Sequence, residues 1–370
     1  MTNLAELTTF RIGGPAGSLV DVNGPQELAE AVRTADREGQ PVLVLGGGSN
    51  LLVADEGFPG VVIRDLSQDI AVVDSSGCGG NSVRVSAGTN WDDFSAYCVQ
   101  QDWMGVEALA GIPGTVGAAP VQNIGAYGQE VAETLASVRV LDRLTGRIEQ
   151  LALFDLHLGY RDSVLKRSLV SERAGGGRLW GPTGRWVVLE AEFQLRNASL
   201  SSPVRYRELA DHLGINLGER APSARVREAV LDLRRSKGMV LDPSDHDTWS
   251  AGSFFTNPIV DEAVELPADA PRFPVEQRSL VNSIAGKAPV VPGLVKLSAA
   301  WLIAHAGFSK GYPAGAPASL STKHVLALTN RGGAKATDVM ALATEIQRRV
   351  ADKFGVQLVP EPVLVSMKKA

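Results

Sequence analysis

The sequence predicts a chain of mixed helices and strands organised as two or three domains. Three observations carry that reading. The 370 residues exceed one typical domain. Segments with helical apolar spacing alternate with short apolar or alternating runs. Between them lies Leu109–Val131, LAGIPGTVGAAPVQNIGAYGQEV, almost free of charge and dense in Gly, which suits neither an amphipathic helix nor a strand interior. Such a stretch is either main chain laid closely against something flat or a buried irregular loop.

The elements follow in order. Thr8–Gly14, TTFRIGG, reads as a short strand-like piece ending in a Gly turn. A helix is predicted from Pro25 to Glu38, with Leu28, Ala31, Val32 and Ala35 on one face. Pro41–Leu45 is a buried strand, and Gly46-Gly47-Gly48-Ser49-Asn50 follows at once. A dinucleotide fingerprint needs a helix and a further Gly after this turn; Leu51 and strand-like sequence stand there instead. What is left is a strand–turn–strand whose free N–H groups could nest a phosphate, or a plain tight turn. Val83–Ala87 is a strand, and Asn90 caps a helix over Trp91–Gln101. Ala136–Asp142 and Glu149–Ala152 form a hairpin, Ala174–Gly184 (AGGGRLWGPTG) a flexible hairpin tip, and Trp186–Leu195 an alternating strand. Ala224–Gly238 is a helix with Val226, Val230 and Leu233 inward and Arg227, Arg234 and Arg235 outward. Leu241–Trp249 is a polar linker. Lys296–Gly307 is a helix, Val325–Thr329 a strand, and Thr337 caps a last long helix through Phe354. The tail Val356–Val365 is a strand interrupted by Pro-Glu-Pro.

Composition excludes several functions. Hydrophobic residues make up 44% and charged residues 21%, with 36 basic against 41 acidic side chains and a net charge of -5. No Lys/Arg block marks a nucleic-acid partner. The uncharged run Ala108–Gln129 is interrupted by Gly and Pro, against a membrane span. Cys78 and Cys98 lack metal-ligand spacing, and none of the five His forms a zinc pair, so no metal is expected. The opening residues lack a secretory pattern, so a cytoplasmic location is expected.

Three small motifs carry chemistry. Tyr160-Arg161-Asp162-Ser163 puts a fixed cation in a turn; Gly252-Ser253-Phe254-Phe255 places a hydroxyl between Gly and aromatics; Pro360-Glu361-Pro362 pins a carboxylate in an apolar strand. Each has a plainer reading alone: an ion-pair arginine, a turn serine, a solvent-facing glutamate.

Jointly, TTFRIGG, LGGGSNLL, GIPGTVGAAPVQNIGAYGQEV, GYRDS, GSFFTNP, KLSAAWLI and PEPVLV run in order over essentially the whole chain. In this the chain resembles the flavin-dependent UDP-N-acetylenolpyruvoylglucosamine reductase family of bacterial peptidoglycan synthesis. YRELADHL, with Tyr206, points to its longer, tyrosine-loop form.

The resemblance implies an α+β fold: an FAD-binding fold of the vanillyl-alcohol-oxidase (PCMH) type in two subdomains, plus a C-terminal α+β substrate-binding domain. The implied bounds are 1–72 with 353–370, then 73–240, then 245–352. Gly46, Gly47, Gly48, Ser49, Asn50 and Leu52 would hold the pyrophosphate of a noncovalent FAD. Gly111, Pro113, Gly114, Thr115, Gly117, Ala118, Asn123, Ile124 and Gly125 would run along its length. Tyr127, Tyr160, Tyr206, Lys237, Asn257 and His305 are implied at the UDP-sugar. NADPH is implied as co-substrate. The implied chemistry is hydride transfer from flavin N5 to the enolpyruvyl β-carbon. Arg161 and protonated Glu361 would stabilise the enolate-like charge, and Ser253 would protonate the α-carbon. The product would be UDP-N-acetylmuramate, and a monomer is expected. Two rivals remain: another flavoenzyme on the same fold, such as a carbohydrate or hydroxy-acid oxidase, and a non-enzymatic flavin- or nucleotide-binding module.

Overall fold

A computed structural model of the chain describes residues 2–77, 79–277 and 288–367; Cys78 lies outside the described residues. Strands Ala16–Val22, Phe58–Asp65 and Val42–Leu45 form a parallel three-stranded sheet in that spatial order. Helix Pro25–Arg37 starts with Pro, whose missing N–H costs nothing at a helix N-terminus. It buries Leu28, Ala29, Val32 and Ala35 against this sheet and against Leu141, Val187 and Leu189 of the next. The glycine turn leads into Leu51–Val53, which pairs in parallel with Val363–Val365.

A six-stranded antiparallel sheet comes next. It holds the hairpin Leu135–Asp142/Arg147–Ala152, the long strand Trp186–Asn197, and Gly80–Ser86 beside Ile70–Ser76. Helix Trp91–Gln100 covers it, with the Phe94 and Phe193 rings 4.8 Å apart. Asn90 Oδ1 caps this helix by accepting from the Asp92 and Asp93 amides at 2.8 and 3.2 Å.

The last part combines a three-stranded antiparallel sheet (Ile259–Asp261, Val290–Leu297, Arg272–Glu276) with the pair Ala318–Leu320/Leu328–Asn330. Helices Ala299–His305 and Ala336–Phe354 close over a core that includes Phe254, Phe255, Leu302, Val339 and Ile346. Phe10 and Leu52 from the N-terminal part join this core.

The charge-free stretch is an ordered irregular segment. It makes one helical turn at Ala119–Gln122 and a two-residue ladder, Gly125–Ala126 with Gln129–Glu130. Its ends are tied by side chains. Gln129 Oε1 accepts from the Ala108 amide at 2.8 Å, and Gln129 Nε2 donates to Glu107 Oε1 at 2.9 Å. The fully buried Glu107 also accepts from the Gly105 and Ser202 amides, each at 2.6 Å, so its desolvation is met by donors.

Several expectations are corrected. Thr8–Gly14 is a loop without strand pairing, because Arg11 and Gly13 take positive φ (54° and 136°). Ile70–Ser76, which the sequence reading passes over, is an edge strand that leaves Val72 and Val73 exposed. Ala174–Gly184 is no hairpin tip: a short helix, Glu172–Gly175, opens it, and Trp180 is buried with Nε1 donating to Gly175 O at 2.7 Å. The helix expected from Lys296 begins at Ala299, capped by Ser298, since Lys296 and Leu297 belong to a strand. The last long helix begins at Ala336, its first amide donating to Asp55 Oδ1 at 2.7 Å, so the cap comes from the distant Asp55 and not from Thr337. The final strand shortens to Val363–Val365.

Candidate active site

A cavity of about 340 Å³ runs between the glycine turn and the charge-free segment. Gly46, Gly47, Gly48, Ser49 and Asn50 line it on one side; Pro113, Gly114, Thr115, Gly117, Ala118, Ile124 and Gly125 line it on the other. The two walls meet closely. A Cβ on Gly47 would lie 2.7 Å from the Gly114 Cα, and one on Gly46 would lie 2.8 Å from Thr115 Oγ1. Ser49 Oγ locks the walls by donating to Pro113 O at 2.7 Å. The glycines are therefore required by backbone approach, and they present main-chain groups to whatever fills the cavity.

Ser253, Arg161 and Glu361 all line the same cavity. Gly252, at φ 71°, turns the chain to present Ser253, whose hydroxyl is held by no hydrogen bond among the described residues. Phe254 O accepts from the Glu361 amide at 2.8 Å, so the serine loop and the Pro-Glu-Pro segment are stitched together. Arg161 Nε meets Glu361 Oε1 at 3.1 Å. Its Nη2 donates to Gly125 O at 2.5 Å, anchoring the guanidinium to the charge-free wall. Burial works against the Arg161 charge, but Glu361, Tyr160 and Glu130 outweigh it and hold its pKa above the ordinary arginine value. Arg161, Tyr127 and Asn123 all take left-handed backbone conformations (φ 54°, 45° and 43°), a concentration of strain that a surrounding site can hold in place.

Other expected positions are placed differently. Leu52 is fully buried in the core behind the turn, because its strand alternates and Leu51 takes the cavity face. Gly111 faces the helix of Arg234: a Cβ there would meet Leu231 at 2.7 Å. Asn123 is fully buried and bonds Gly159 O at 2.7 Å, fixing the turn that carries Arg161. These three do not line the cavity.

Tyr127 and Tyr206 contact edge to face at 5.4 Å, and Lys237 lies 5.7 Å from the Tyr127 ring with its Nζ donating to Glu208 at 2.5 Å. Burial pushes the Tyr127 phenol up to about 12, so it is a neutral donor at physiological pH. A second group forms around Tyr160, whose hydroxyl accepts from the Asn257 amide at 3.3 Å and whose ring lies under Lys296 at 4.7 Å. His305 joins neither group. Its ring stacks on Trp301 at 3.8 Å, Nδ1 contacts Trp301 O at 2.8 Å, and Nε2 is turned toward Asp269 at 3.9 Å.

Three cavity residues escaped sequence reasoning. Gln122 Nε2 donates to Glu361 Oε1 at 2.8 Å. Lys166 Nζ donates to Arg161 O at 3.1 Å, and burial lowers its pKa. Arg234, expected on the outer face of its helix, is turned inward. Its Nη2 donates to Met239 O at 2.8 Å, its buried Nε has no hydrogen-bond partner among the described residues, and burial lowers its pKa to about 10. An orphaned buried guanidinium donor beside a cradle of backbone amides suits an anionic ligand with a long flat body, which is what the pyrophosphate and rings of FAD provide.

These features define a class: a flavoprotein oxidoreductase with its cofactor laid along a glycine-lined cleft. Comparison with known proteins agrees. Residues 18–152 match an FAD binding domain, and residues 242–365 match the C-terminal domain of UDP-N-acetylenolpyruvoylglucosamine reductase. The chain is 51% identical to the protein of that name from Nocardia farcinica, over 99% of this chain and 89% of the relative. It is also 51% identical to the one from Saccharopolyspora erythraea, over 98% and 94%. The crystal structure of the Thermus caldophilus reductase superposes with a TM-score of 0.60 at 25% identity, covering 98% of this chain and 97% of that one. The chain belongs to the UDP-N-acetylenolpyruvoylglucosamine reductase family. It is an FAD-dependent oxidoreductase of peptidoglycan synthesis, of mixed helices and strands, with an FAD binding domain followed by the family's C-terminal domain.

Proposed function

We propose that the chain reduces UDP-N-acetylglucosamine enolpyruvate to UDP-N-acetylmuramate, using NADPH, and that Arg161, Glu361 and Ser253 perform the non-redox part. The observation that carries this is the convergence of these three residues, from segments far apart in sequence, on one cavity. FAD, when bound, supplies hydride chemistry between NADPH and the enolpyruvyl β-carbon. Arg161 holds the substrate carboxylate and, with Glu361, stabilises the negative charge that develops there. Glu361 Oε1 is occupied by Gln122 and Arg161, and Oε2 has no hydrogen bond among the described residues, so Oε2 is the oxygen left to face the substrate. Ser253 delivers a proton to the α-carbon; an enolate is basic enough to take it from a hydroxyl.

Tyr206 and Lys237, supported by their contacts with Tyr127 and Glu208, bind the UDP portion, and Tyr160 and Asn257 bound the sugar side. Three units are proposed with them, 1–72 with 353–370, 73–240 and 245–352; the pairing of Val363–Val365 with Leu51–Val53 supports the return of the tail to the first, while strand Ile70–Ser76 crosses its bound with the second. Among the described residues no helix is long and apolar enough to cross a membrane. A cytoplasmic monomer fits a soluble nucleotide-sugar substrate.

The test is NADPH oxidation by the purified yellow protein with and without the enolpyruvyl UDP-sugar. Stoichiometric oxidation that needs the sugar supports the reading. Sugar-independent transfer to oxygen favours the oxidase alternative, and no NADPH oxidation at all favours a binding module.

A further inference from the structure

The loop Thr8–Gly14 has no part in the chemistry above, yet it touches two segments that the chemistry needs. The Thr9 amide donates to Gly48 O at 3.1 Å. A Cβ on Gly48, which sits at φ 61°, would run into Leu7 O and the Thr8 Cα, so the glycine turn and this loop pack main chain to main chain. From the same residue, Thr9 Oγ1 donates to Ser250 O at 2.6 Å, and both residues are buried. One residue later, the Phe10 ring meets the Phe254 ring edge to face at 6.3 Å. Ser250 and Phe254 flank Ser253 on its two sides. The loop therefore grips the serine segment before and after Ser253 while resting on the glycine turn.

The two grips differ in weight. After Ser253, Phe254 has other supports: its amide donates to Leu326 O at 2.8 Å and its carbonyl accepts from the Glu361 amide. Before Ser253, Trp249 O accepts from the Asn330 amide at 2.9 Å, the Ser250 amide donates to Thr248 O at 2.9 Å, and the Gly252 amide donates to Ser250 Oγ at 3.2 Å. None of these reaches the glycine turn. Among the described residues, Thr9 Oγ1 is the one donor that ties Ser250 to the turn side. A buried carbonyl that loses its donor has no water to replace it, so the segment would shift. The loop itself is firm. Thr8 Oγ1 donates to Ile12 O at 3.0 Å, and Asn330 Nδ2 donates to Phe10 O and Arg11 O at 3.0 and 3.2 Å.

We propose that Thr9 is a positioning residue that carries the placement of the glycine turn to Ser253 and so sets the reach of that hydroxyl toward the α-carbon. The inference rests on the proton-donor role given to Ser253 above. Proton delivery needs hydrogen-bond reach, and a misplacement of about 1 Å can cost about 10²-fold in rate. Hydride transfer into the flavin from NADPH does not use this serine.

The experiment uses the full-length protein with FAD bound and follows the flavin spectrum by stopped flow, first on reduction by NADPH and then on reoxidation by the enolpyruvyl UDP-sugar. Thr9→Val keeps the shape of the side chain and removes the donor; Thr9→Ser keeps the donor. Thr9→Val is expected to slow reoxidation about tenfold, with NADPH reduction within about twofold of wild type. The Kd of the UDP-sugar, read from its perturbation of the oxidised flavin spectrum, should also stay within about twofold. Thr9→Ser should reoxidise within about threefold of wild type. Placed in Ser253→Ala, Thr9→Val should slow reoxidation no further, because its effect passes through the serine. Unchanged reoxidation in Thr9→Val, equal slowing of both half-reactions, equal loss in Thr9→Ser, or a full further loss on top of Ser253→Ala overturns the proposal. So does failure of both Thr9→Val and Thr9→Ala to bind FAD, which makes the hydroxyl a folding element. A Ser253→Ala variant that reoxidises as fast as wild type removes the proton-donor reading itself, and the role of Thr9 falls with it.

Discussion

Gln122 Nε2 donates to Glu361 Oε1 at 2.8 Å, and Arg161 Nε reaches that same oxygen at 3.1 Å. One carboxylate oxygen is thereby saturated, and the side chain is oriented by groups from two other segments. A glutamate so held cannot rotate its two oxygens into equivalence, which is the kind of support a precisely aimed hydrogen bond requires.

Removing this support should slow the reaction without weakening binding. Gln122→Leu is expected to lower kcat about tenfold, the worth of one such hydrogen bond at about 1.4 kcal/mol, with KM for the UDP-sugar nearly unchanged. At the glutamate itself, Glu361→Gln, which still donates, should be milder than Glu361→Ala. Steady-state kinetics decide both points; equal damage from the two Glu361 variants argues against the hydrogen-bond role.

The role proposed for Ser253 separates the two half-reactions. Ser253→Ala should still take hydride from NADPH, seen as bleaching of the flavin spectrum in a stopped-flow mixing experiment. Turnover of the UDP-sugar should fall by roughly 10²–10⁴-fold, the range for loss of a positioned acid. Ordinary turnover in this variant removes the proton-donor role.

Arg234 is a half-buried cation that makes no ion pair with a carboxylate among the described residues, and burial, opposed by Tyr127 and Asp92, lowers its pKa to about 10. Such a charge is costly when no anion is present. Arg234→Met should leave thermal stability of the FAD-free protein unchanged or raised, while affinity for FAD, read by flavin fluorescence, falls about tenfold or more. A lower melting temperature with unchanged FAD affinity makes the arginine structural instead.

His324 predicts a pH dependence of stability. Burial lowers its pKa from 6.5 to about 4, helped by Lys237, Lys310 and Arg234 and opposed by Glu208. The folded value is below the unfolded one, so the native state binds fewer protons between them. Stability is then undiminished above about pH 6.5 and falls as pH drops toward about 4, by at most about 3 kcal/mol from this group. His324→Gln should flatten the melting temperature across that window. A slope as steep as wild type assigns the loss to other groups.

The three residues proposed to react were visible as candidates because each lies in a compact motif whose types are unusual in place, such as a serine between Gly and aromatics or a glutamate between prolines, and the structure brings them to one cavity. Their supports were not. Gln122 acquires its meaning from a residue 239 positions away. Arg234 follows helical spacing outward, but the last turn of its helix lies against Gly111, where the absent side chain leaves room for Leu231 and Arg234 to come inward. Helical period tells which face a residue shares; it does not tell whether a second wall stands opposite that face. The same holds for Leu52, which the motif placed at the cofactor and the strand alternation turned into the core. The Gly-rich segment misled for a related reason: its glycines suggested looseness, while Trp180 and Arg143 anchor it.

The parallel pairing of Val363–Val365 with Leu51–Val53 bears on how the enzyme comes into being. Asn50 and Glu361 are 311 residues apart in the chain. A nascent polypeptide has the glycine turn long before it has the carboxylate. Contacts of such sequence separation form late and slowly. On the ribosome, therefore, the glycine turn is made well before the strand that pairs beside it and the carboxylate that strand carries. A translation product that stops short of Glu361 has the turn but neither the paired tail nor the partner that Arg161 meets across the cavity.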